Sequence, residues 1–289
     1  MLQDIFPEKL DNHYNPDIVP GDESLVISYN EENEILLKVD ENEEEITFPK
    51  MVDFADVKKE ELVYLFNVGG NDFFLIMTED AKSKKLPEGY FYTKLSDLRG
   101  KYLYPKHYVF AALTAYQLNE WYKTTKYCGK CGSLNENDKL ERARICPKCG
   151  NKIYPRINPA CIIGVTDKKT NRIILTKYRT GFRHNALVAG FTEIGETLEE
   201  TVVREVMEEV GLSVKNVRYY KSQPWAIASD ILAGFFCDVD GSTDIKMDES
   251  ELKYAEWVAP EDIVLQPIDY SLTNEMMRLF KEKGYEGTV

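Results

Sequence analysis

The sequence predicts an α+β protein, because strand-like runs and helical repeats are mixed along its 289 residues. Between residues 24 and 98, short apolar or alternating runs are separated by turn-forming residues, which indicates a strand-rich domain. Beyond residue 156, strand-like and helix-like segments alternate, and four paired cysteines lie before them. We therefore predict three parts: an N-terminal domain at 1–125, a cysteine-bearing segment at 126–155 and a C-terminal domain at 156–289.

The individual elements follow from hydrophobic periodicity. One helix is predicted at 106–123, where Ala112, Leu113, Tyr116, Leu118 and Trp121 recur at helical spacing. Further along the chain, period-2 and period-3.6 patterns alternate. They predict strands at 161–165, 172–176, 217–222 and 231–239, a turn at 167–171, and helices at 197–210 and 275–283.

Composition limits the class of protein. Hydrophobic residues make up 43% and charged residues 29%, as is usual for a soluble globular chain. No apolar run reaches membrane-spanning length, and the first residues lack a basic start, so we expect a cytoplasmic protein without a secretory signal. The net charge of −13 disfavours broad nucleic-acid binding. An anionic substrate would need local neutralisation, for which a divalent cation is the usual solution.

Four of the six cysteines form two Cys-x-x-Cys pairs with fourteen residues between them. Two intervening residues let both thiolates of a turn face one ion, and a glycine after each second cysteine suits the tight backbone. A redox dithiol and a nucleic-acid-binding ribbon are alternatives, and the acidic composition argues against the second. We predict a structural zinc ion bound by Cys128, Cys131, Cys146 and Cys149.

An acidic helix is the most informative segment of the chain. Thr197 and Glu200 fit a capping box that starts it, and Gly211 fits its end. Apolar residues at every fourth position supply a face for the core. On the other side, like charges crowd together and oppose the helix dipole, a cost that a hard divalent cation reverses. These crowded residues are Glu205, Glu208 and Glu209.

The run from Gly190 to Leu212 resembles the Nudix box at every defined position, including the Arg-Glu and Glu-Glu pairs of the helix. The resemblance implies a Nudix fold, an α/β/α sandwich with the box as loop-helix-loop. It also implies Mg²⁺ or Mn²⁺ ligation by the three glutamates above. Arg204 and Glu196 would orient these carboxylates and support the loop.

The order of the parts resembles the NADH pyrophosphatase branch of this family, which carries an N-terminal Nudix-like domain, a four-cysteine zinc ribbon and a Nudix domain. That branch has a Ser-Gln-Pro-Trp-Pro-Phe-Pro-x-Ser motif after the box. This chain has Ser222-Gln223-Pro224-Trp225 and Ser229, with Ala226-Ile227-Ala228 in place of the central Pro-Phe-Pro. The change removes an aromatic surface and two rigid prolines, so it concerns substrate preference more than chemistry.

Other site residues are implied by the same resemblance. Glu251 and the carbonyl of Ala189 would complete the divalent-metal site. Tyr154 and Phe191 would stack on the substrate base, although ordinary core packing is the alternative for both. The implied substrate-binding residues are Arg99, Glu141, Tyr154, Phe191, Gln223, Pro224, Trp225 and Ser229.

The predicted function is metal-dependent hydrolysis of NADH or NAD⁺ to NMN(H) and AMP. Some members of the branch also remove NAD caps from RNA 5′ ends, and the branch commonly forms homodimers with shared active sites. The changed Ala226-Ile227-Ala228 segment leaves another dinucleotide open, such as FAD, a diadenosine polyphosphate or ADP-ribose. A non-catalytic nucleotide sensor is the alternative from a different class, and the intact set of glutamates argues against it.

Overall fold

A computed structural model describes residues 1–40, 42, 44–77, 81, 83–180 and 184–289. It divides into two compact units. The N-terminal unit comprises residues 2–156 with 226–228, and the C-terminal unit comprises Met1, 157–225 and 229–289. No helix among these residues is long and apolar enough to cross a membrane.

The N-terminal unit consists mainly of strands. Its strands before the cysteine segment are β1 (Leu10–Asp11), β2 (Leu25–Ser28), β3 (Ile35–Asp40), β4 (Glu45–Thr47), β5 (Leu62–Val68), β6 (Asn71–Ile76) and β7 (Phe91–Thr93). Its helices are α1 (Leu95–Gly100) and α2 (Lys106–Thr124), with short 3-10 turns at Met51–Asp53 and Lys59–Glu61.

Two sheets form this part. Four strands run in the order β1-β5-β6-β2, in which only β2 and β6 are parallel, and three antiparallel strands run β4-β3-β7. The predicted helix at 106–123 is confirmed as α2, and Ala112, Leu113, Leu118 and Trp121 of its apolar repeat are buried. The cysteine segment adds a small antiparallel sheet of β8 (Glu136–Asn137), β9 (Arg144–Ile145) and β10 (Lys152–Ile153).

The C-terminal unit is one mixed sheet with a helix on each face. Its strands are β11 (Asn158–Asp167), β12 (Arg172–Tyr178), β13 (Val188–Phe191), β14 (Val214–Trp225), β15 (Asp230–Val239) and β16 (Leu252–Val258). Its helices are α3 (Leu198–Val210) and α4 (Leu272–Lys283), with 3-10 turns at Pro260–Asp262 and Gly284–Thr288. The strand order is β14-β15-β11-β12-β16, with β13 paired to β11, and β11 and β15 are parallel.

Alternation along β11 separates two cores. Ala160 and Ile162 pack in one cluster with Met276 and Phe280 of α4. Their neighbours Cys161, Ile163 and Val165 pack in the other cluster with the valines of α3. Because successive strand residues face opposite sides, α3 and α4 cover opposite faces of the sheet, and this is the sandwich that the resemblance implies.

Most predicted elements of this unit are confirmed. The hairpin around 167–171 pairs Asp167 with Arg172. The repeat on α3 buries Val202, Val206 and Val210. Strand β16 was not among the predicted strands, because its exposed and half-buried residues do not form a continuous apolar run.

Candidate functional site

Four cysteines of the N-terminal unit form a closed ligand group. Their sulfur atoms all lie within 4.8 Å of one another, and the Sγ···Sγ distances are 3.6 Å for Cys128–Cys149 and 3.5 Å for Cys131–Cys146. A tetrahedron with Zn–S bonds of about 2.3 Å has sulfur atoms about 3.8 Å apart. The residues present therefore fit zinc, as predicted.

Two matched backbone turns create this spacing. The Gly132 amide donates to the carbonyl of Cys128, and the Gly150 amide donates to that of Cys146, both within 2.9 Å. Both glycines have positive φ, 74° and 69°, a conformation that glycine adopts without steric cost. No ligand position is left for water, so this site is structural.

In the C-terminal unit, the box helix α3 begins and ends where its sequence predicts. Thr197 is the N-cap: its side chain accepts from the amide of Glu200, and the Glu200 carboxylate accepts from the amide of Thr197 at 2.7 Å. Gly211 is the C-cap, with φ 69°. The helix is thereby fixed at both ends while its valine face packs in the core.

The strand before the helix approaches the box carboxylates closely. A Cβ atom added to Gly190 on β13 would lie 2.0 to 2.3 Å from the carboxyl atoms of Glu205. Such distances are impossible without displacing the carboxylate. Only glycine at this position therefore lets Glu205 lie against β13, which is a physical reason for the glycine that opens the box.

Arg204 links the loop to the helix carboxylates. Its guanidinium contacts Glu196 at 2.6 and 2.9 Å, Glu205 at 2.7 Å and Glu208 at 2.9 Å, and it donates to the carbonyl of Phe191 at 2.9 Å. The hydrogen bonds from Arg204 to Glu196 are the largest cause that lowers the pKa of the Glu196 carboxyl group to about 2. The predicted orienting role of Arg204 and Glu196 fits this arrangement.

Glu209 is the most buried of the box carboxylates, with a relative exposure of 2%. Burial raises its pKa to about 8. Its Oε1 accepts from the hydroxyl of Tyr178 at 3.1 Å and, through a long contact, from the amide of Ala189 at 3.4 Å. Its Oε2 has no hydrogen-bond partner among the described residues. A buried carboxylate oxygen without a partner is costly unless a ligand completes it.

The remaining predicted metal ligands lie around Glu209 and Glu205. The charge of Glu251 is close enough to raise the pKa of both carboxylates, beyond the larger effect of burial. Ala189 is paired on β13 with Ile162 of β11, beside Glu209. Oxygen ligands from carboxylates and a carbonyl are what Mg²⁺ and Mn²⁺ prefer, so the chemical type of these donors fits a divalent cation. Among the described residues, the ribbon cysteines are the only group of three or more metal-ligating side chains whose ligand atoms all lie within 4.8 Å of one another.

Two of the predicted substrate residues meet in the N-terminal unit. The Glu141 carboxylate accepts from the Tyr154 hydroxyl at 2.9 Å and from Lys152 at 2.7 Å. Tyr154 has 54% relative exposure, and Phe191 in the other unit has 52%. Neither ring is in a core, so the packing alternative for both is excluded.

The motif after the box has mixed roles. Gln223 is fully buried: its amide group donates to the carbonyl of Tyr270 at 2.7 Å, and its amide oxygen accepts from the Leu272 amide at 2.6 Å. With no exposed surface and both amide atoms bonded to the segment that starts α4, the Gln223 side chain holds that segment in this structure. Pro224 is exposed, and Trp225 is half-buried beside the α4 core.

The two remaining predicted substrate residues have different surroundings. Ser229 has a positive φ of 60°, and its carbonyl accepts from the Asn158 amide at 2.8 Å. Arg99 is half-buried on α1 of the N-terminal unit, where burial lowers its pKa.

Two polar residues were missed from the sequence. Tyr178 contacts Glu209, and Lys152 bridges Glu141 and Asp138 at 2.7 and 3.0 Å. The position of Lys152, two residues before the predicted substrate residue Tyr154, could have indicated its role. Nothing in the local sequence distinguished the tyrosine at the end of β12.

Comparison with known proteins identifies both parts. Residues 155–280 match the NUDIX domain model, and residues 123–154 match the NADH pyrophosphatase zinc ribbon domain model. A Shigella dysenteriae protein named NAD-capped RNA hydrolase NudC is 39% identical over 164 residues, covering 56% of this chain and 62% of that protein. Its namesake from Enterobacter sp. is 42% identical over 154 residues, covering 52% and 58%.

The chain therefore combines a Nudix domain with a zinc ribbon of the NADH pyrophosphatase type, in the predicted order. It spans about three fifths of the length of the curated relatives it matches. Residues 123–280, which the two domain models match, contain the four cysteines and the box carboxylates.

Proposed function

We propose that this chain, whose C-terminal unit is a Nudix domain, hydrolyses the pyrophosphate bond of NADH and NAD⁺ to NMN(H) and AMP. The carrying observation is the carboxylate group on α3, where Arg204 gathers Glu205 and Glu208 and the buried Glu209 keeps one oxygen without a partner. A surface helix gains no stability from crowded like charges, whereas a cation-dependent phosphoryl-transfer site requires them.

The chain's own residues account for binding and positioning. Glu205, Glu208, Glu209, Glu251 and the carbonyl of Ala189 would hold the metal. A Mg²⁺ or Mn²⁺ ion held there would supply positive charge against the phosphates and would make the attacking water more acidic. The water oxygen bonds to one phosphorus, the bridging P–O bond breaks, and the bridging oxygen leaves with the other mononucleotide. The exposed carboxylates of Glu208 and Glu251 are the candidates for accepting the proton.

Capped RNA is the substrate that the relatives' names favour, and the charge distribution agrees with it. Residues 123–154 contain eight basic and three acidic residues, a formal +5 in a chain of net −13. A zinc ion with four thiolates subtracts two charges and leaves this segment positive. We propose that its exposed lysines contact the phosphates of a capped RNA next to the cap.

The substrate preference within dinucleotides depends on Ala226-Ile227-Ala228. The loss of an aromatic residue and two prolines at this place favours a retuned pocket as the second candidate function. FAD, a diadenosine polyphosphate or ADP-ribose would then be the preferred substrate, with the same chemistry at the box.

Product analysis tests the proposal directly. Purified protein with Mg²⁺ or Mn²⁺ is given NADH, NAD⁺, NAD-capped RNA, ADP-ribose, FAD and diadenosine polyphosphates in parallel, with Glu208→Gln as the control. Fastest cleavage of NADH or capped RNA, with an inactive control, supports the proposal. A tenfold preference for another dinucleotide, about 1.4 kcal/mol of transition-state preference, supports the second candidate instead.

Binding without turnover for every nucleotide would indicate the non-catalytic sensor. The same experiment distinguishes Mg²⁺ from Mn²⁺. The homodimeric state and the cytoplasmic location stay predictions, and light scattering of the purified chain tests the first.

A further inference from the structure

Tyr178 is placed where it can control the most buried metal-ligand candidate. It ends β12, at a register irregularity in the pairing with β16 between Lys177 and Tyr178. Irregularities of this kind re-aim a side chain relative to the regular strand. The ring packs partly buried against the core under α3, and the hydroxyl lies 3.1 Å from Glu209 Oε1 and 3.4 Å from the carbonyl oxygen of Ala189.

The hydroxyl has one proton and two possible acceptors. The Glu209 carboxyl group is the closer of the two, and in the ionised form that binds a metal it is also the stronger acceptor. When the proton goes to Glu209, the Ala189 carbonyl keeps its lone pair available. One hydrogen bond therefore leaves two oxygens ready for a cation: Glu209 Oε2, which has no partner among the described residues, and Ala189 O.

Among the described residues, no other strong donor contacts the Glu209 carboxylate. The Ala189 amide contacts the same Oε1 at 3.4 Å, which is long for a hydrogen bond. Arg204 contacts Glu205 and Glu208 and gives Glu209 no hydrogen bond among those the structure describes. Without the Tyr178 hydroxyl, the Glu209 carboxylate would lose its shortest anchor.

We propose that Tyr178 is a positioning residue of the divalent-metal site, whose hydroxyl orients Glu209 so that its second oxygen faces the cation. The inference rests on the proposed function, because it assumes that the box glutamates bind a metal. Partners of metal ligands typically contribute about 10-fold to 100-fold to metal affinity. Tyr178 contributes to metal binding rather than to contact with the nucleotide.

The test is Mn²⁺ binding to the zinc-loaded, full-length chain without nucleotide, measured by the electron paramagnetic resonance signal of free Mn²⁺. Tyr178→Phe keeps the ring and removes the hydroxyl. Tyr254→Phe is the matched control, because its hydroxyl on the neighbouring strand β16 bonds Asn185 and not a box residue. Glu209→Gln identifies which bound Mn²⁺ belongs to the box.

We expect Tyr178→Phe to raise the Kd for Mn²⁺ about tenfold or more, with the control unchanged. The kcat of Tyr178→Phe on NADH should return to the wild-type value at saturating Mn²⁺, since only metal affinity is altered. A lower melting temperature with a wild-type Kd would show a purely structural role and overturn the inference. If Glu209→Gln also leaves Mn²⁺ binding unchanged, the box is not the metal site, and the proposed function fails together with this inference.

Discussion

In the zinc ribbon, the protein brings four sulfur atoms within 4.8 Å of one another through two matched turns. On the box helix, by contrast, Arg204 holds two of the three carboxylates, and a buried oxygen of the third has no partner among the described residues. The four thiolates form a closed ligand set for zinc, whereas the carboxylates, which we propose as divalent-metal ligands, leave a buried oxygen without a partner among the described residues.

The difference reflects what each metal does. A closed set of thiolates fixes a small fold that has little apolar core of its own, since its three strands have two residues each. In the proposed function, the carboxylates would hold a metal that also binds water and phosphate oxygens, so part of the metal's ligand sphere would be left to the substrate. Changes at the ribbon should therefore affect folding first, and changes at the box should affect catalysis first.

The largest expected effect is the loss of a ribbon cysteine. Cys146→Ser removes a buried thiolate, and zinc typically contributes about 10 to 16 kcal/mol to the folding of small zinc domains. We expect loss of bound zinc and fast amide exchange throughout 126–154, while Mn²⁺ binding at the box persists. Metal analysis and hydrogen exchange measure both. Cys161→Ala, at a buried cysteine of the other unit, should keep its zinc, and zinc retained by Cys146→Ser would contradict the closed-site assignment.

The next largest effect is expected at the close approach of β13 to α3. Gly190→Ala places a methyl group where the Glu205 carboxylate lies, 2.0 to 2.3 Å away. The flexible side chain can move aside, so the fold should survive while the metal site is displaced. We expect kcat/KM on NADH to fall about 100-fold, or about 2.7 kcal/mol, with a near-wild-type melting temperature.

The ribbon offers a matched change for that experiment. A Cβ at Gly129 would meet no atom within 4 Å, and Gly129→Ala should therefore leave zinc content and kcat/KM unchanged. Full activity of Gly190→Ala would show that Glu205 does not need its observed position.

The contrast also explains what sequence could predict. Spacing within one segment identified the four cysteines, the capped helix and the carboxylates, because their geometry is set by local turns and helical period. Contacts between distant segments were not readable. Tyr178 contacts Glu209, which is 31 residues later in the sequence, and it does so at an irregularity in the pairing of β12. Gln223 is buried against Tyr270 and Leu272, which follow β15 in the sequence.

A smaller and selective effect is expected for charge on the ribbon. Lys130 and Lys148 are exposed at equivalent positions of the two knuckles. The double change Lys130→Glu with Lys148→Glu should lower kcat/KM on NAD-capped RNA about tenfold. The slope of log kcat/KM against log salt concentration should become shallower by about 2, which corresponds to two lost phosphate contacts. Hydrolysis of free NADH, which lacks the RNA phosphates, should be unaffected.

The control for that experiment places the same charge change in the Nudix unit. Lys168→Glu with Lys169→Glu alters two exposed lysines of the turn between β11 and β12. If both pairs reduce RNA decapping equally, net charge alone is responsible, and the ribbon has no specific part in RNA binding.

The smallest effect is expected at the N-cap of α3. Thr197→Ala leaves the Glu200 amide without its cap acceptor, which typically costs about 1 kcal/mol and lowers the melting temperature by a few degrees. Glu205 is the eighth residue after this cap, roughly 12 Å away along the helix. Glu196 beside it is held independently by Arg204 and Thr201, so the carboxylates should stay in place. We therefore expect unchanged kcat.

Calorimetry and NADH kinetics on Thr197→Ala, Glu200→Ala and the double variant separate the two halves of this cap. Because the Glu200 carboxylate accepts from the Thr197 amide and hydroxyl, the double variant should lose less stability than the two single variants together. Ser271→Ala at the N-cap of α4 removes the acceptor of the Asn274 amide and also the donor to Gln266 Oε1, so it should cost at least as much as Thr197→Ala. A fall in kcat at Thr197→Ala with no loss of stability would mean that Thr197 acts on the loop that carries Glu196. Thr197 would then belong to the active site, and not only to the cap of the helix.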